Sequence, residues 1–220
     1  GANQYAFNDA SDKAIAQVFF PHTKLSETDL YALLTPSPQV QGPNLRSAIK
    51  SLRLAKALLG GAGSFQFEES DGRKKFDIEG KGYVEVLANG TIRKANNSRH
   101  AVSLAQIRLA SATNIETCDF DISVLAEQVR YECVKQSDNS DHSTLGNYGK
   151  PDDFSLGACN SLNVRIETYF NAPELSCLFR RDGEDVSKVI EGFLSDRSKR
   201  ALVLSFKKVS FKYNARELLL

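Results

Sequence analysis

Two dipeptides constrain this chain more than any other feature: Asp71-Gly72 and Asn89-Gly90. Each sits between apolar runs, and each supplies residues that tolerate the positive φ of a tight turn joining two antiparallel strands. Phe65 and Phe67 lead into the first turn, and Phe76 and Ile78 lead out of it. Tyr83 to Leu87 and Thr91 to Lys94 flank the second. Two hairpins in succession require an antiparallel sheet in the middle of the chain.

The residues before the hairpins read as helical. Ser11 or Asp12 starts a helix carrying Ala14, Ile15, Val18 and Phe19, stopped by Pro21. Ser26 and Asp29 make a capping box in front of Leu30, Leu33 and Leu34, and Thr35-Pro36-Ser37-Pro38 ends that helix. Pro43 opens a longer one, with Leu45, Ala48, Ile49, Leu52, Ala55 and Leu59 on its apolar face. Arg46, Lys50 and Arg53 line another face, as a solvated flank or as contacts to backbone phosphates. Gly60-Gly61-Ala62-Gly63 supplies a left-handed cap. It is not a phosphate-binding loop, because there the glycines follow a strand and precede a helix carrying a Lys-Ser or Lys-Thr pair.

After the hairpins, Val102 and Leu104 favour a strand within 101–112 over a helix carrying Leu104, Ile107 and Ala110, and Ile115 to Phe120 reads as another strand. Ile122, Leu125, Ala126, Val129 and Cys133 have helical spacing, and residues 136–160, rich in Ser, Asp, Asn and Gly, read as a long loop. Leu162, Val164, Ile166, Thr168 and Phe170 recur every second position, the mark of a half-buried strand. Asn171-Ala172-Pro173 breaks that run; Leu175, Cys177 and Phe179 restart it before a turn at Asp182-Gly183. Asp185 is placed to cap a helix with Val186, Val189, Ile190, Phe193 and Leu194 on one face. Finally Leu202, Leu204 and Phe206 point one way and Val209, Phe211 and Tyr213 the other, with a bulge or turn at Lys207-Lys208.

The expected fold is therefore α+β. A helical region, residues 1–62, precedes an antiparallel, partly barrel-like (OB-like) sheet in 63–220, with two packed helices near 122–135 and 186–195 and the loop 136–160.

At 220 residues, 41% hydrophobic and 25% charged, the chain has an ordinary globular composition. No run of 18 apolar residues is present, so no membrane span is expected. The net charge is only +1, which argues against a surface coated in nucleic acid. The charge is unevenly placed, however. From Val186 onward eight basic and three acidic residues give +5, while the rest of the chain carries −4. Cys118, Cys133, Cys159 and Cys177 are scattered without a CxxC, and neither they nor the three histidines imitate a zinc-ligand pattern. Four cysteines permit two disulfides in an exported protein. A chain long enough to build a core without staples favours buried thiols and the cytosol. The start at Gly1, in a sequence without methionine, reads either as processed or as a scar left behind a removed leader. Asn89-Gly90-Thr91 and Asn96-Asn97-Ser98 match the glycosylation sequon, which matters only in a eukaryotic secretory pathway.

The first candidate site is the run from Phe206 to Tyr213. Lys207, Lys208 and Lys212 can track phosphates while Phe211 and Tyr213 stack bases, the combination that holds single-stranded nucleic acid. The plainer reading makes the aromatics core and the lysines the guard of an edge strand. A second candidate is Asp71 with Glu79 and Lys81. Some Mg²⁺-dependent nucleases place an acid on a hairpin and Glu-x-Lys on the next strand, although Gly80 stands where that motif has an apolar residue. His142 between Asp141 and Ser143 is no triad, since sequence neighbours in a loop cannot hold that geometry. The reading that follows is a non-enzymatic binding protein, needing no cofactor, whose C-terminal run contacts single-stranded nucleic acid. The alternatives are an exported interaction or assembly domain with a protein partner, and the Mg²⁺-dependent nuclease.

Overall fold

The computed structural model describes residues 18–19, 26–80, 82–94, 105, 108–109, 120–135, 150–172, 184–198 and 201–202. The chain divides into two compact units, residues 23–170 and residues 1–22 with 171–220.

In the larger unit the local signals act as their chemistry requires. Helix α1 (Glu27–Leu34) starts at Ser26, whose hydroxyl accepts from the Asp29 amide at 3.1 Å while the Asp29 carboxylate accepts from the Ser26 amide at 2.7 Å. It stops at Thr35, which takes a left-handed conformation before Pro36. Helix α2 (Gln41–Leu59) follows and is released at Gly61, with φ of +77°. Tyr31 of α1 lies so close to α2 that a Cβ added at Gly42 would come within 2.2 Å of its hydroxyl.

Strands β2 (Phe67–Ser70), β3 (Arg73–Asp77), β4 (Tyr83–Val86) and β5 (Ile92–Lys94) follow β1 (Val18–Phe19), which belongs to the smaller unit, and form an antiparallel meander in that order. Asp71 and Gly72 both have positive φ in the first turn, and Gly90 does in the last. One sheet face buries Phe76, Val84, Val86 and Ile92 against Leu54, Ala55, Ala57 and Leu58 of α2, together with Ile78, Ala105 and Leu109. Each large side chain buried there stabilises the fold by roughly 1.5–3 kcal/mol before chain entropy is subtracted. The fold is thus α+β. The four strands remain an open sheet and do not close into the OB-like barrel expected from sequence.

Helix α3 (Leu125–Glu132) enters through a short 3-10 turn, Ile122–Val124, and packs on α2 with Leu125, Ala126 and Val129 buried. Strands β6 (Val134–Lys135) and β7 (Lys150–Pro151) pair antiparallel and deliver the chain into α4 (Asp153–Asn171).

Helix α4 overturns two expectations, the strand at 162–170 and the loop extending to residue 160. Its buried residues are Cys159, Leu162, Asn163 and Ile166, spaced as on a helix, while Val164 is 55% exposed. The N-terminal end of α2 helps hold it. Gln41 Nε2 donates to the Ala158 carbonyl at 2.7 Å and to Ser161 Oγ at 2.9 Å. Farther along, Arg165 Nη1 donates to the carbonyls of Leu34 and Thr35 at the end of α1, using acceptors that α1 leaves without helical partners. Ala105, Arg108 and Leu109 are helical, correcting the strand expected within 101–112.

In the smaller unit β1 (Val18–Phe19) pairs in parallel with β8 (Glu184–Asp185). Val18 and Phe19 are therefore not helical, because a backbone partner more than 160 residues away claims them. Helix α5 (Val186–Ser195) is capped by Asp185, whose carboxylate accepts from the Ser187 amide at 2.9 Å. Of its five expected apolar positions only Val186 is buried; Val189, Ile190 and Phe193 are half-buried and Leu194 is 73% exposed.

Candidate functional site

Lys207, Lys208, Phe211, Lys212 and Tyr213 lie outside the described residues, as does Lys81. Asp71 and Glu79 are described, and the fold separates them. Asp71 occupies the turn between β2 and β3, whereas Glu79 follows the far end of β3. Eight residues of mostly extended chain set them on the order of 20 Å apart. One cation cannot bridge that distance, and Glu79 is engaged by Arg108, whose Nε donates to it at 2.9 Å. Asp77, the nearest other acid in chain order, accepts from the Gly80 amide at 3.2 Å and so shapes the turn. Among the described residues no group of three or more His, Cys, Asp or Glu side chains is arranged to hold a metal ion.

The basic flank of α2 is also spoken for. Arg46 and Lys50 reach Glu27 of α1 at 3.4 and 4.0 Å, and the Arg46 guanidinium lies 4.8 Å from the centre of the Tyr31 ring. Arg53 is buried. Arg46 and Lys50 thus join α2 to α1.

One polar cluster among the described residues is one that sequence reading did not single out. Strand register aligns Glu68 with Lys75, Lys75 with Glu85, and Glu85 with Arg93, so acids and bases alternate across all four strands. The row belongs to the face opposite Phe76, Val84 and Ile92, because successive side chains alternate. Lys75 Nζ lies 4.3 Å from the centre of the Tyr83 ring, and the Arg93 guanidinium lies 4.6 Å from that of Tyr131 on α3. Arg93 also donates to the Tyr131 hydroxyl at 3.2 Å, and that hydroxyl donates to Glu127 at 2.6 Å. Asn89, in the β4–β5 turn, donates to the same carboxylate at 2.8 Å. Burial, and secondarily Glu85, raises the Tyr83 phenol above its ordinary value. Burial and the bond to Glu127 raise that of Tyr131, with Arg93 pulling the other way. Both phenols stay protonated at neutral pH, so neither is a base there. Two acids balance two bases in the row, and both cations are engaged by aromatic faces. The cluster ties α3 to the sheet and offers no net attraction for an anion. The alternation of Lys75, Glu85 and Arg93 was readable only once strand register was known.

A buried polar connection lies behind it. Gln128 is fully buried on α3; its Oε1 accepts from the Ile92 amide at 2.8 Å and its Nε2 donates to the Ile92 carbonyl at 3.0 Å. The same Nε2 lies 2.9 Å from the Glu132 carboxylate, which also accepts from Ser47 and Ser51 of α2 at 2.5 and 2.7 Å. Gln128 thus takes the place of a neighbouring strand at the outer edge of β5. Comparison with known proteins adds no relationship to this geometry: no family model, curated protein or solved structure matches the chain.

Proposed function

We propose that this chain is a non-enzymatic binding protein that contacts single-stranded nucleic acid through Phe206 to Tyr213. The observation that carries the reading is the segregation of charge: +5 from Val186 to the end against −4 elsewhere, with Lys207, Lys208 and Lys212 interleaved with Phe211 and Tyr213. Within the same C-terminal segment, Lys188 and Arg197 are exposed. The lysines take phosphates and the aromatic rings stack bases, each stacked base contributing about 1–3 kcal/mol. Small OB-type barrels present residues of these types on a strand face.

Fluorescence anisotropy of labelled single-stranded and duplex oligonucleotides, at low and physiological salt with and without Mg²⁺, tests it. Neutralisation of three phosphates makes log K fall by about 2 per tenfold rise in salt. A triple Lys207→Glu, Lys208→Glu, Lys212→Glu change abolishes that binding. Absence of binding, salt-independent binding, or an unaffected triple variant overturns the proposal.

A further inference from the structure

Asparagine followed by glycine carries a latent reaction, because the glycine nitrogen can approach the asparagine side-chain carbonyl carbon without a Cβ in the way. Asn89-Gly90, in the turn between β4 and β5, is such a pair, and the sequence has no other. Asn89 is exposed, yet each reacting group is held. The Gly90 amide donates to the Leu87 carbonyl at 2.9 Å. Asn89 Oδ1 accepts from the Thr91 amide at 3.1 Å and from the Thr91 hydroxyl at 2.6 Å, and Thr91 is fully buried. Asn89 Nδ2 donates to the Glu127 carboxylate of α3 at 2.8 Å. The nucleophile, the carbonyl oxygen and the leaving nitrogen are therefore all bonded to other groups of the fold.

We infer that Asn89-Gly90 is a deamidation site gated by this turn, closed in the folded chain and converted to aspartate and isoaspartate when the turn opens. The Gly90 amide gives its proton to a base in the solvent, and its nitrogen attacks Asn89 Cγ. That new C–N bond closes a cyclic imide. The Cγ–Nδ2 bond breaks, and Nδ2 leaves as ammonia with a proton equivalent to the one Gly90 lost. Water then adds to either imide carbonyl. Breaking the new Cγ–N bond leaves aspartate at position 89, whereas breaking the original main-chain bond leaves isoaspartate, with the chain running through Cγ. Nothing is oxidised or reduced. Attack needs the nitrogen and Cγ in contact and aligned. The Gly90 amide must first leave Leu87, and the Asn89 side chain must turn away from Thr91 and Glu127. Opening two or three such bonds together slows the reaction in the folded chain by about 100-fold. Both products add a carboxylate to the turn beside Glu127, in place of the amide that bonds it.

The test uses the full chain at one mildly alkaline pH and one temperature, folded in buffer and unfolded in guanidinium. Samples taken over time are digested with trypsin. Cleavage after Lys81 and Arg93 releases peptide 82–93, which carries Asn89 as its only side-chain amide. Mass spectrometry follows the change of that amide to a carboxyl group, and chromatography separates the aspartate from the isoaspartate form. The expected result is steady conversion in the unfolded chain and conversion about 100-fold slower in the folded one. A ratio below about tenfold, or an unfolded chain that keeps Asn89 intact, overturns the proposal. Two variants test the clamp itself. Thr91→Val removes the hydroxyl on Oδ1 at nearly constant volume, and Glu127→Ala frees Nδ2. Each speeds conversion of the folded chain by about threefold or more and leaves the unfolded rate unchanged. A folded rate unaltered in both variants overturns the assignment. Far-UV circular dichroism checks that each variant folds, and the ratio measured on the unaltered chain decides the question where one does not. The outcome is independent of nucleic-acid binding.

Discussion

Replacing Gln128 by methionine tests whether its amide holds the outer edge of β5. The change keeps the length and most of the volume of the side chain but removes all three of its hydrogen bonds. Ile92 is fully buried, so its amide and carbonyl lose their partner where water cannot replace it. Each stranded backbone group costs about 1–3 kcal/mol, offset by less than about 1 kcal/mol from the more apolar side chain. The expected loss is about 3 kcal/mol. With a urea dependence of about 2 kcal/mol per molar, the midpoint of unfolding falls by roughly 1.5 M. The chain has no tryptophan, so far-UV circular dichroism follows the transition. Native-state hydrogen exchange supplies a local readout, because protection of the Ile92 amide falls in the variant by more than that of other amides in the sheet. Gln128→Glu gives a second handle. A carboxylate there faces the Ile92 carbonyl and Glu132, so it is held protonated to higher pH than usual, and the protonated form can donate again. A group whose folded pKa is raised keeps its stability below the unfolded pKa and loses it as pH rises. The deficit against wild type is therefore smaller at pH 4 than at pH 8. A loss below about 1 kcal/mol in Gln128→Met, with Ile92 still protected, would refute the assignment of Gln128 as a surrogate strand.

Two further outcomes follow from single side chains. Ser26→Ala removes the hydroxyl half of the α1 capping box, leaving the residue-26 amide bonded to Asp29, and lowers stability by about 1 kcal/mol, read as a shift of the urea midpoint without change of slope. In the reduced protein the Cys133 thiol, raised to about 12 from its ordinary 9.0, stabilises the fold fully below pH 9 and loses that contribution as pH rises toward 12. The loss, up to about 1.4 kcal/mol per pH unit, is seen as a steeper alkaline fall in urea midpoint for wild type than for Cys133→Ala. Equal slopes would remove the buried-thiol explanation.

What the sequence determined by itself was local. Ser26 with Asp29, Asp71-Gly72, Asn89-Gly90 and Asp185 act within four residues of themselves, through a hydroxyl or carboxylate on a nearby amide or through tolerance of positive φ. These signals are complete in the chain, so the helices they start and the hairpins they close were readable. Helix α2 was readable as well, because nineteen residues provide enough turns for its period to stand out. Tertiary structure decided what two periods left open. Leu162 and Ile166 are four residues apart, a spacing that satisfies both an alternating strand and one turn of helix, and the β-branched Val164, Ile166 and Thr168 tilted the local reading to strand. Intrinsic preference is worth at most about 0.7 kcal/mol per ordinary residue. Burial of Cys159, Leu162 and Ile166, with Gln41 and Arg165 bonded across to other elements, outweighs it, and Val164 and Thr168 are left on the exposed side. The Gln128–Ile92 bonds and the charge row on the sheet were unreadable for the same reason. Each joins residues whose relation is set by packing between elements, and no period along the chain encodes it.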